Sequence, residues 1–161
     1  MSTGHYRRLQ VTHELSDRMD LVGVVYMSRS THPTVPLDLD RLLMDSRSFN
    51  SQRGVTGVLL FGGNQFIQYI EGLPTDIEHV YGRIRRSALH SDLVELEKRR
   101  IPQRLFRHWF MGFRDAPRSV IQQLSQEQWT REAPRAEDHS AASSGMRQLM
   151  RFLDSVSTDE R

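Results

Sequence analysis

The stretch VTGVLLFGGNQFIQYIEG, residues 55–72, decides the fold of this chain. Its two halves, 55–61 and 65–72, are rich in β-branched and aromatic residues, and a Gly-Gly-Asn turn at 62–64 separates them. Runs of this composition predict strands, and a tight glycine- and asparagine-containing turn between them predicts an antiparallel hairpin. The elements on either side are assigned outward from this hairpin.

Before the hairpin, the apolar run 21–28 predicts a buried strand, and 38–50 has the leucine spacing of an amphipathic helix that ends near its asparagine. After the hairpin, a proline in the first turn and apolar residues at helical spacing predict a helix over 74–84. The segments 93–101 and 104–113 alternate apolar with polar residues, as half-exposed strands do. The order β-α-β-β-α-β-β, with two crossover helices over one sheet, predicts a ferredoxin-like α/β sandwich.

The C-terminal part predicts further helices. A short helix is expected over 119–129, and 146–156 carries an apolar stripe at helical spacing. That stripe must bury against the open face of the sheet or against a second subunit. Between them, 131–145 is rich in Ala, Ser, Pro and charge and is typical of a linker. Residues 1–19 are expected to form a flexible extension.

Composition excludes several classes of function. The chain has 161 residues, which suits one domain with a tail, and it has no cysteine, which excludes disulfide scaffolds and thiol catalysis. We find no apolar segment of membrane-spanning length and no signal peptide, so we expect a cytoplasmic protein that binds no membrane. The seven histidines lack metal-ligand spacing, and neither a P-loop nor GxGxxG is present. We therefore expect neither a metal site nor an enzyme.

A basic stretch keeps one alternative open. Residues 83–107 contain eight basic and three acidic side chains, although the whole chain has a net charge of only +2. Together with the predicted topology, this allows an RNA-recognition-like binding module. Such modules display aromatic residues in a pattern containing K/R-G-F/Y on the exposed sheet face, and 65–72 lacks that pattern. The sequence thus argues against nucleic acid as the partner.

Three polar residues interrupt otherwise apolar elements: Tyr26 in the first strand, Asn50 at the end of the first helix and Gln68 within FIQYIEG. A buried amide without partners costs roughly 1–3 kcal/mol, so such residues need an explanation. Singly, each has an ordinary one: a core tyrosine, a helix cap and a solvent-facing glutamine.

Taken together with Trp109 and Met111, these residues resemble the BLUF family, the flavin-binding blue-light sensors. The matching stretches are LVGVVYMSRS, SRSFN followed by VTGVLLF, FIQYIEG and RHWFMGF. The pattern F-x-Q-x-x-E-G is the most specific of them. The resemblance implies a BLUF photosensor domain over 20–115, with the flavin between its two helices. The remaining residues, 116–161, would then form a C-terminal helical extension.

The resemblance also implies roles for individual residues. The asparagine matching Asn50 binds the pyrimidine edge of the flavin, and the glutamine matching Gln68 lies between the flavin and the tyrosine matching Tyr26. Arg83 matches an arginine at the O2 edge of the ring, and His90 matches a histidine close to it.

Signal relay is implied for three further residues. Ser46 matches a serine that holds the neighbouring tryptophan or glutamine, and Trp109 and Met111 match the residues of the last strand through which the signal leaves. Three positions depart from the family's usual residues: Phe49, Ser87 and Leu89.

The function implied is that of a sensor which turns over no substrate. FAD is the expected cofactor, with FMN as the alternative. Light would drive electron and proton transfer from Tyr26 through Gln68, and the rearranged amide would donate a hydrogen bond to flavin O4. The output would go to a separate signalling protein or to a homo-oligomer. A flavin-free interaction domain is the second alternative, beside the RNA-recognition-like module.

Overall fold

The computed structural model describes residues 20–31, 38–129 and 142–159. The extension expected at 1–19 lies outside the described residues, as does most of the linker expected at 131–145.

The described residues form a mixed α+β fold in the predicted order. The strands are β1 (Leu21–Ser30), β2 (Thr56–Gly62), β3 (Gln65–Gly72), β4 (His90–Ile101) and β5 (Gly112–Asp115). The helices are α1 (Leu39–Arg53), α2 (Pro74–Arg86), α3 (Arg118–Gln126) and α4 (Ser144–Asp159). The ferredoxin-like sandwich with C-terminal helices is therefore confirmed.

The five strands form one sheet in the order β4-β1-β3-β2-β5, with β3 in the middle. The predicted β2–β3 hairpin is present, and both residues of its turn, Gly63 and Asn64, have left-handed φ values of 55° and 63°. A type I′ turn needs positive φ at both positions, which glycine and asparagine tolerate best. Because β1 and β3 are antiparallel, Tyr26 lies directly opposite Gln68.

Helix α1 extends beyond its predicted end. Its N-terminus is capped by Asp38, whose side chain accepts a hydrogen bond from the backbone N–H of Arg41. At its C-terminus, Gly54 has a left-handed φ of 63° and donates its N–H to the Asn50 and Ser51 carbonyls. The prediction that the helix ends near Asn50 was wrong, because the glycine that terminates it comes four residues later.

The two faces of the sheet carry separate apolar clusters. On the front face, α1 and α2 pack through Leu43, Ile77 and Val80. On the back face, α3 and α4 pack through a second set: Ile121, Leu124, Met146, Leu149 and Leu153. The apolar stripe of α4 is thus buried on the sheet of its own chain, which was one of the two sites predicted for it.

The predicted strand at 104–113 is mostly absent. Residues 104–111 are irregular, and pairing with β2 begins only at Gly112. The buried carboxylate of Glu71, on the back face of β3, explains the difference, since it accepts hydrogen bonds from the backbone N–H groups of Leu105 at 2.8 Å and Phe106 at 2.7 Å. These amides are held by a side chain and take no part in a strand ladder.

Replacing Glu71 by alanine should therefore destabilise the fold strongly. Its carboxylate also accepts hydrogen bonds from the hydroxyls of Thr56 and Tyr69, both at 2.9 Å, so four donors would lose their acceptor. We expect a loss of about 3 kcal/mol or more in the free energy of unfolding, measured by urea denaturation. The exposed Glu78→Ala variant is the control and should change that free energy by no more than about 0.5 kcal/mol. Equal stability of the two variants would contradict this account of Glu71.

Candidate functional site

A cleft of about 150 Å³ opens on the front face between α1 and α2. Its apolar walls come from both helices and from the sheet: Leu42, Leu59, Phe66, Val80 and Ile84. Its polar lining is Tyr26, Asp45, Ser46, Asn50, Gln68, Arg83, Ser87 and His90. Apolar walls together with the side-chain amides of Asn50 and Gln68 suit a planar heteroaromatic ring that has a polar edge.

A chain of buried hydrogen bonds runs along the floor of the cleft. The Tyr26 hydroxyl donates to Oε1 of Gln68, and Nε2 of Gln68 donates to the sulfur of Met111 at 3.1 Å. A phenol supplies the donor and a thioether the acceptor, so this orientation of the amide satisfies both neighbours. Gln68, which the sequence alone allowed to face solvent, is only 6% exposed.

Helix α1 contributes Asn50 and Ser46, which are one turn apart on the side that faces the cleft. Asn50 is buried, and its Nδ2 donates to the Phe110 carbonyl at 2.8 Å. This contact uses one of the two N–H groups of the amide and leaves Oδ1 as an acceptor. Asn50 is therefore a core residue of the helix and not its cap.

Two cationic or titratable side chains border the cleft. The guanidinium of Arg83 lies over the ring of Phe49, 4.2 Å from its centroid, and this cation–π contact orients the arginine at the cleft. His90 lies 2.6 Å from the Ile84 carbonyl through Nε2. Because a carbonyl oxygen only accepts, Nε2 must carry the proton of this hydrogen bond. Ser87 and Leu89, which depart from the family pattern, also line the cleft.

The structure places two of the three predicted relay residues, Trp109 and Met111, on opposite faces of the sheet. Met111 is buried with the front-face cluster and contacts Gln68. Trp109 packs with the back-face cluster, where its ring stacks on Phe106 at 5.5 Å between centroids, and it does not line the cleft. Met111 does not line the cleft itself, whereas the remaining predicted site residues do: Tyr26, Ser46, Asn50, Gln68, Arg83 and His90.

Burial keeps Tyr26 in its neutral form. Its removal from water raises the pKa of the Tyr26 hydroxyl well above the usual value, and the neighbouring Tyr81 raises it further. The two rings are 5.9 Å apart between centroids. Burial likewise raises the pKa of Tyr81 to about 12, with Glu95 adding to the effect. A protonated phenol is the form that donates to Gln68.

Two residues near the site were missed at the sequence level. Tyr81 has the helical spacing of an ordinary core residue, and nothing in the pattern indicated its contact with Tyr26. Glu71 belongs to the motif FIQYIEG, but its role in holding the segment 104–106 depends on contacts between distant parts of the chain, which the motif does not indicate.

Within 20–31, 38–129 and 142–159, no cluster of residues could hold a metal ion. Nor is any helix of those ranges long and apolar enough to cross a bilayer.

Comparison with known proteins shows the family to which the chain belongs. Residues 21–112, more than half of the chain, match the family described as sensors of blue light using FAD. Photoactivated adenylate cyclase subunit beta from Euglena gracilis is 29% identical over 86 residues, which are 53% of this chain and 10% of the cyclase. The chain therefore spans only about a tenth of the length of that relative.

Two solved structures have the same fold. Klebsiella pneumoniae BlrP1 with FMN and cyclic diGMP is 32% identical, with a TM-score of 0.52, over 59% of this chain and 26% of that one. The photo-activated state of BlsA covers 84% of this chain and 93% of that one, with a TM-score of 0.62 and 21% identity. The family match favours a flavin-binding sensor over the RNA-recognition-like module that the topology also allowed.

Because burial raises the pKa of Tyr26, its hydroxyl should stay protonated where an exposed tyrosine ionises. We expect Tyr26→Phe to leave the phenolate absorbance of the folded protein unchanged between about pH 9 and 11. The unfolded proteins in urea are the control, and there the variant should lack the titration of one phenol. A smaller phenolate signal in the folded variant below about pH 10 would contradict the raised pKa.

Proposed function

We propose that this chain, which belongs to the BLUF family of blue-light sensors using FAD, senses light through the hydrogen bonds from Tyr26 to Gln68 and from Gln68 to Met111. The observation that carries the proposal is the buried Gln68 amide on the floor of the cleft, held between a phenol and a thioether. An amide can exchange its donor and acceptor sides by rotation or by tautomerism. It can therefore store a change of state without any bond between heavy atoms of the protein forming or breaking.

The cleft fits the cofactor of the family. The family's description specifies FAD, and one similar structure contains FMN, so the isoalloxazine ring common to both is what the cleft must bind. The apolar walls suit the faces of that ring. Asn50 offers Oδ1 and a second N–H to a pyrimidine edge, and Arg83 is held at the border of the cleft by Phe49. We assign Asn50, Gln68, Tyr26, Arg83 and His90 to flavin binding.

Tyr26 and Gln68 would carry out the photochemistry. Bound flavin supplies the absorption of blue light and, once excited, a strong one-electron oxidant. A phenol that loses an electron becomes strongly acidic, and Oε1 of Gln68 is already placed to accept the hydroxyl proton of Tyr26. When the electron and proton return to Tyr26, the Gln68 amide remains rearranged, with an N–H directed into the cleft.

The rearranged amide would release the sulfur of Met111 and so change the segment 104–111. That segment is bound to Glu71 and packs on the back-face cluster through Phe106 and Trp109. The proposed output therefore reaches α3 and α4, and from there a separate signalling protein or the oligomeric state of the chain, in the cytoplasm. We propose that the sensor itself turns over no substrate. Ser46 would support the amide from α1.

Visible spectra before and after blue light test this function. The protein loaded with flavin should show a band that shifts to the red, keeps its shape and relaxes in darkness. Bleaching of the band would indicate flavin reduction and contradict the proposal. A protein that stays colourless after incubation with FAD would support the flavin-free interaction domain instead.

Gln68→Leu should abolish the red shift, since leucine has no amide to rearrange, while Tyr26→Phe should abolish it by removing the transferable proton. Gln65→Leu, at the start of the same strand and outside the cleft, is the matched control and should retain the shift. A full red shift in Gln68→Leu would refute the mechanism.

A further inference from the structure

Three successive carbonyl groups, those of Trp109, Phe110 and Met111, are each held by a different donor. The N–H of Gly57 donates to the Trp109 carbonyl at 2.8 Å. Asn50 donates to the Phe110 carbonyl at 2.8 Å, and Nε of Arg47 donates to the Met111 carbonyl at 2.9 Å. Two of the three donors thus come from α1, the helix that also forms one wall of the cleft.

These contacts fix a segment that has no strand partner. Pairing of β5 with β2 begins only at Gly112, one residue after Met111. Within this segment the side chains of Trp109 and Met111 go to opposite faces of the sheet. The position of the Met111 backbone decides whether its sulfur lies within reach of Nε2 of Gln68. The Arg47 contact acts directly on that backbone.

Arg47 is well placed to act on the segment without acting on the cofactor. It is an exposed residue one turn before Asn50, and it does not line the cleft. A guanidinium is a cation that donates in a fixed geometry, so its hydrogen bond to a neutral carbonyl is charge-assisted. The contact therefore restrains the backbone of Met111.

We propose that Arg47 is a positioning residue of the photocycle: by holding the Met111 carbonyl, it keeps the sulfur where the Gln68 amide donates to it in the dark. This inference rests on the proposed function. When the Met111 sulfur is held in place, the acceptor to which the Gln68 amide must return in darkness is already in position. Loss of the restraint should therefore slow the return to the dark state.

The test is the rate of dark recovery of the flavin band after a saturating blue flash. Arg47→Met removes the donor and keeps an apolar stem of similar length. We expect its recovery to be about fivefold slower than that of the wild type, with flavin still bound, because the loss of a net hydrogen bond of about 1 kcal/mol corresponds to a factor of this size. Arg47→Gln retains an N–H donor and should restore part of the rate. This rescue separates positioning from a general loss of stability.

Arg41→Met is the matched control, since Arg41 is an exposed arginine of the same helix and lies outside the cleft. The flavin band of this variant should recover at the rate of the wild type. Unchanged or faster recovery in Arg47→Met, in a wild type that does shift to the red, overturns this inference alone. A wild type without any red shift overturns both this inference and the proposed function. If Arg47→Met fails to fold, Arg47→Gln and Arg47→Lys are compared instead. Both variants retain an N–H donor, but the donor lies at a different distance from the backbone in each. If both variants recovered at the rate of the wild type, a positioning role for Arg47 would be refuted.

Discussion

Two hydrogen bonds to the buried carboxylate of Glu71 hold the segment between β4 and β5 on the middle strand of the sheet, and two more, from Thr56 and Tyr69, complete the set of donors around it. A charged group removed from water is tolerated only when its oxygens are fully satisfied, so this arrangement is demanded by the burial of the side chain. The amides of Leu105 and Phe106 are fixed by it, and the chain then reaches Met111 in a definite position. The contact of Met111 with Gln68 follows from that placement.

The middle strand connects the two faces of the protein. Because side chains alternate along a strand, Gln68 faces the cleft while Tyr69 and Glu71 face the back. Tyr69 packs on Phe106 at 5.6 Å between ring centroids and donates to Glu71. A change at Gln68 therefore arises next to Tyr69 and three residues before Glu71, the residue that holds the segment 104–111. This arrangement gives the proposed light signal a short physical route from the cleft to the C-terminal helices.

The hairpin that carries Gln68 could be predicted from local pattern, whereas the roles of the site residues were implied by the resemblance to the BLUF family. The alternation of FIQYIEG and its turn predicted the hairpin, and the antiparallel neighbour β1 brings Tyr26 opposite Gln68. The strand expected over 104–113 was wrong for an instructive reason. Its alternation of polar and apolar residues is real, but an irregular segment that lies at the edge of both clusters produces the same alternation, since Trp109 and Met111 enter different faces.

The sequence by itself determined the order of the elements and the hairpin with its turn, because strand and helix periods and turn propensities act between near neighbours in the chain. The residues expected at the cleft were implied by the resemblance to the BLUF family. Only the tertiary structure decided that Met111 and not Trp109 contacts the glutamine, and that Glu71 and Arg47 hold the backbone leading to it. These decisions rest on hydrogen bonds between residues 34 to 64 positions apart. Such bonds require a particular approach of distant backbone segments, and no local pattern of residues specifies that approach.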